Sequence, residues 1–99
     1  MYFITGFTKY DTNTVYGVPK IGHSRTFGYY ETKEDAIEAV LGNYCDIFEQ
    51  CYTYAVVEYI KPGLYNPATE RWFFKWNDKK RQYEPIEPFI DHWGNYAFT

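Results

Sequence analysis

Apolar and polar positions alternate along residues 2–10, with Phe3, Thr5 and Phe7 on one side and Tyr2, Ile4 and Gly6 on the other. This period of two in β-forming residues predicts a strand. Asp11 to Lys20 carries turn chemistry, and Ser24 to Tyr30 predicts a second strand in which Arg25, Phe27 and Tyr29 share a face. Gly28 within it marks a bulge or a close backbone approach. At Thr32 the period changes to that of a helix. Thr32 is a good N-cap, Glu34, Asp35 and Glu38 suit the positive end of the helix dipole, and Ala36, Ile37, Val40, Leu41 and Tyr44 form one apolar face. Gly42-Asn43 predicts its end, with a further turn over 46–50.

The most apolar run is 52–61, a central strand with Glu58 as its odd member. Pro62-Gly63 stops it, and 64–70 reads as a loop. Residues 71–76 and 81–86 then flank Asn77-Asp78-Lys79-Lys80 as a hairpin. A symmetric turn places Trp76 opposite Arg81, Phe74 opposite Tyr83 and Trp72 opposite Pro85. A short last strand is predicted near 95–98. The order β-β-α-β-β-β predicts a single α+β domain: a mostly antiparallel sheet of four to six strands with one main helix packed on it.

Composition adds a surplus of rings to this outline. The 99 residues include 12 Tyr, 8 Phe and 3 Trp but only two leucines, Leu41 and Leu64. A domain of this size buries roughly 60–70% of its unfolded surface, so several rings are expected to reach the outside. A homodimer is one way to cover them. Net charge is −3, which argues against a binder of nucleic-acid polymers. The charge is segregated: six acids against Lys33 between Glu31 and Glu49, and five bases against Asp78 between Arg71 and Arg81. No run approaches a membrane span of about 18 apolar residues, and the N-terminal sequence has no signal-peptide pattern. With Cys45 and Cys51 as the only cysteines, a cytoplasmic location is expected.

Motifs for catalysis are missing. His23-Ser24-Arg25 and His92-Trp93-Gly94 lack the hydroxyl of a two-histidine phosphoesterase, and no nucleophile elbow or glycine-rich phosphate loop occurs. The cysteine and histidine spacings match no metal site, and no cofactor is expected. Glu58 is the best candidate for a perturbed group, with pairing to Arg25 or a tyrosine hydroxyl as its structural role. Binding is therefore the expected activity. On the hairpin, alternation puts Trp72, Phe74 and Trp76 on one side and Arg71, Phe73 and Lys75 on the other. Rings beside cations suit one small nucleotide, through stacking and phosphate contacts. Arg71, Phe73, Lys75 and Trp76 are the candidate residues there. Arg25 with Tyr29 is a second candidate region. Glu34, Asp35 and Glu38 of the acidic helix, with Trp93, are candidates for contact with a protein.

Several runs carry a resemblance: Ser24-Arg25-Thr26-Phe27-Gly28-Tyr29-Tyr30, Glu34-Asp35-Ala36, Asn43, Asp46-Ile47 and Glu49, then Tyr52-x-Tyr54-Ala55-Val56-x-Glu58, Gly63 and Trp72-Phe73-x-Lys75-Trp76. Together they resemble a family of short proteins encoded by phages and prophages of gut Firmicutes. The resemblance implies a counter-defence setting, and no site residues. Two expectations follow: a non-enzymatic sponge for a small nucleotide-type immune signal, or an inhibitor that docks on a host defence protein.

Overall fold

The computed structural model describes residues 1–8, 10, 11, 20, 21, 23–88 and 95–97. Five strands form one antiparallel sheet: β1 (Tyr2–Phe7), β4 (Ser24–Tyr30), β5 (Tyr54–Tyr59), β6 (Glu70–Asn77) and β7 (Gln82–Ile86), in the order β4-β1-β5-β6-β7. The two-residue strands β2 (Tyr10–Asp11) and β3 (Lys20–Ile21) pair as a separate ribbon. One helix, α1 (Lys33–Leu41), packs across the sheet, so the fold is the expected α+β arrangement. In the centre of β5, Ala55, Val56, Val57 and Glu58 are all buried. That is what a strand covered on both faces requires.

Strand alternation divides the core in two. Ile4, Ala55, Val57, Phe74, Trp76 and Tyr83 meet the helix residues Ala36, Ala39 and Val40 on one face of the sheet. Phe7, Val56 and Phe73 face the other way and pack with Tyr96. Rings fill both layers. Phe48 stacks on Trp76 at 4.1 Å between centroids, and Phe7 stacks on Tyr96 at 5.5 Å. The buried Tyr83 hydroxyl donates to the Tyr52 carbonyl. Burial pushes the Tyr83 pKa above its ordinary value.

Thr32 caps α1 as its sequence predicts, accepting the Asp35 N–H on Oγ1 at 3.2 Å. The helix then stops at Leu41, and Gly42 donates to the Glu38 carbonyl at 2.8 Å. Beyond it Asn43, Cys45, Asp46, Glu49 and Gln50 all take left-handed φ angles of 47–58°. Asn43 Oδ1 accepts the Phe48 N–H at 2.9 Å, which ties this turn together. The reversal brings Ile47 and Phe48 into the core and turns Leu41 and Tyr44 outward.

Two details of register differ from expectation. The β6–β7 turn is one residue further along, over 78–81. Asn77 Oδ1 accepts the N–H groups of Lys79 and Lys80, and Arg81 adopts φ 55°. Trp76 consequently pairs with Tyr83 and Phe74 with Pro85. The proline sits on an edge strand, where its missing N–H costs no sheet hydrogen bond. In β4, Thr26 pairs with Thr5 and Gly28 with Ile4, so Phe27 is the extra residue of the bulge that Gly28 predicts, and the bulge undoes the shared face expected for Arg25 and Tyr29. Arg25 lies opposite Gly6 and Tyr29 opposite Phe3, on opposite faces of the sheet. The described part of the predicted last strand, 95–97, forms a bend and turn. Phe98 lies outside the described residues.

Candidate functional site: an acidic groove along the helix

Where α1 ends, its outward side carries a groove of about 570 Å³ lined by Lys33, Glu34, Ile37, Glu38, Leu41 and Tyr44. Its floor is apolar: Leu41 is 40% exposed and Tyr44 is 44% exposed, with Ile37 half-buried between. Its rim is acidic. Glu34 and Glu38 stand one helical turn apart, and Lys33, also in the lining, holds its Nζ 4.8 Å above the Trp72 ring. Tyr44 folds back over Gly42, where a Cβ would meet its ring at 2.6 Å, so only glycine leaves the ring in this place. The Tyr44 hydroxyl donates to Glu38 Oε1 at 3.1 Å, and this bond followed by the carboxylate's charge raises the Tyr44 pKa.

Glu34, Asp35 and Glu38 thus share one exposed acidic stretch, as the sequence pattern predicts. Leu41 and Tyr44, expected in the core, join them at the surface. Their exposure was legible only in the Gly42-Asn43 break that follows. Trp93 and His92 lie outside the described residues.

The other candidate residues are dispersed. Arg71 Nε donates to Glu58 Oε2 at 3.0 Å, within a cluster in which both carboxylate oxygens also accept N–H groups, from Tyr96 at 2.9 Å and Ala97 at 2.8 Å. The Arg71 guanidinium lies 5.5 Å from the Tyr96 ring centroid. Glu58 is fully buried and does have a cationic partner, but that partner is Arg71 and not Arg25. Phe73 is buried edge-on against Tyr96, and Trp76 is buried under Phe48 with its Nε1 donating to Asp78. Arg25 instead pairs with Glu49 at 3.0 Å on the surface, with two strands between β4 and β6.

Lys75 remains exposed and, with Trp76, borders a hollow of about 400 Å³. Glu84 lines the same hollow, and hydrogen bonds from Asn77 and Lys80 hold its carboxyl below the usual carboxylate range. A smaller hollow of about 240 Å³ under the β4 bulge is walled by Ile4, Phe27, Tyr30, Ala39 and Cys45 and has no cationic lining residue. Among the described residues no cluster of three His, Cys, Asp or Glu side chains could hold a metal, and no helix is long and apolar enough to cross a membrane.

No protein-family model, curated protein or solved structure matches the chain.

Proposed function

We propose that this protein is a non-enzymatic protein-binding module whose helix groove receives an apolar side chain flanked by Lys or Arg. The observation that carries this reading is the exposure of Leu41 and Tyr44 in the same hollow as the side chains of Glu34 and Glu38. Burying such a floor supplies affinity, and the acidic rim selects partners of opposite charge and speeds encounter. Affinity capture with the wild type and with a Leu41→Asp/Glu38→Lys variant tests the reading. A partner held by the wild type should be lost by the variant while circular dichroism stays unchanged. Equal capture by both refutes it.

A small nucleotide-type ligand is the second reading, supported by Lys75, Lys79 and Trp76 around one hollow. Glu84 weakens it, because a carboxylate in the same hollow repels phosphate. Thermal shift against a panel of nucleotide signals tests it: a ligand of this site raises Tm in the wild type and loses that effect in Lys75→Ala.

A further inference from the structure

The loop between β5 and β6 ends in a feature the helix groove does not explain. Leu64 is 86% exposed and Tyr65 is fully exposed, the two most open large apolar side chains among the described residues. This tip has a built shape. Asn66 Nδ2 donates to the carbonyls of Lys61 at 3.1 Å and Pro62 at 2.8 Å. Asn95 reaches in from the C-terminal segment, accepting the Ala68 N–H and donating to the Asn66 carbonyl at 3.1 Å. Gly63, at φ 132°, lies so close to Asn66 that a Cβ would meet its Nδ2 at 2.7 Å. Tyr65 holds φ 60°, a left-handed conformation that its own packing does not repay. The hydrogen-bonded loop thus presents a protruding Leu-Tyr pair on an ordered backbone, which lowers the backbone cost of insertion into a partner.

We infer that the groove along α1 takes the Leu64–Tyr65 tip of a second copy of this chain, joining two protomers around a two-fold axis. This rests on the protein-binding reading of the groove and names its occupant. The two surfaces are complementary in both respects that matter. Leu64 and Tyr65 match the apolar floor of Ile37, Leu41 and Tyr44, and the exposed Lys61 at the base of the tip matches Glu34 and Glu38. The contact is isologous: the tip of each copy meets the groove of the other. One such insertion is small, and its repetition across the axis doubles the buried area.

The experiment is sedimentation equilibrium from about 1 to about 200 μM, where mass action distinguishes monomer from dimer. Wild type should dimerise. Tyr65→Asp and Glu38→Lys should each raise the dimer Kd about tenfold or more, and Lys61→Glu combined with Glu38→Lys should recover most of that loss. Because all three positions are exposed, circular dichroism should show the same fold in every variant. A wild-type monomer throughout the range, or a dimer indifferent to all three variants, overturns the second-copy occupant. If groove-dependent capture of another protein persists in that case, only the occupant is wrong; if capture also ignores the groove, the groove reading falls with it.

Discussion

Strand β6 and helix α1 trade the roles that their patterns suggest. The ribbon carries the rings and cations expected of a binding patch, and the fold consumes them: Arg71 neutralises Glu58, Phe73 packs on Tyr96 and Trp76 stacks under Phe48. The helix carries an apolar stripe expected in the core, and its last members face outward. Periodicity states which side of an element a residue occupies. It does not state what covers that side.

The sharpest way to test this exchange is to remove Arg71. Arg71→Ala leaves a buried carboxylate without its cation and should cost about 3–5 kcal/mol, whereas Lys75→Ala on the same strand should change stability by under about 0.5 kcal/mol. Urea denaturation measures both, and equal small effects would break the contrast. That cost also makes Arg71 a poor probe of ligand binding, since its loss disturbs the fold.

Next in size is a comparison within the helix. Val40→Ala removes fully buried methyl groups and should cost about 2 kcal/mol, while Leu41→Ser, one position on, should cost under about 1 kcal/mol. Similar denaturation midpoints for the two variants would return Leu41 to the core.

Tyr83 sharpens the account of the ring-filled layer beneath the helix. Tyr83→Phe leaves the Tyr52 carbonyl without its donor and should cost about 1–2 kcal/mol at neutral pH. The folded-state pKa of Tyr83 lies above the unfolded value near 10, so the folded state holds the proton more tightly. The stability this contributes is complete below about pH 10 and is lost as pH rises further, toward the folded pKa. Denaturant midpoints at about pH 9 and about pH 11 should therefore separate more in the wild type than in Tyr83→Phe.

The smallest expected effect is at the helix start. Thr32→Ala should cost about 1 kcal/mol by freeing the Asp35 N–H, and should loosen the turn that presents Glu34. Amide exchange at Glu34 and Asp35 reads the fraying directly.

Gly28 marks the bulge in β4, but the faces that the bulge gives Arg25 and Tyr29, like the β6–β7 register, show where local pattern stops being informative. An extra residue at Phe27 separates Arg25 from Tyr29, and Arg81 at positive φ accompanies a turn moved one residue along the chain. Each shift decides which side chains can meet, and neither is marked by a change in hydrophobicity. The capping of α1 by Thr32 and the burial of β5, by contrast, follow from side chains that act on their own backbone or their own solvation.

What the chain alone determined was the set of elements, the sorting of β6 side chains to its two sides, and the acidity of the helix surface, because these follow from periodicity, capping and local charge. Partnership was decided only by tertiary structure. Glu58 accepts from Arg71, Tyr96 and Ala97, residues 13 to 39 positions away, and Leu41 opens to the surface because a left-handed turn carries the chain back toward the sheet. A buried charge needs whichever donors the fold delivers, and an apolar residue is buried only if something lies above it.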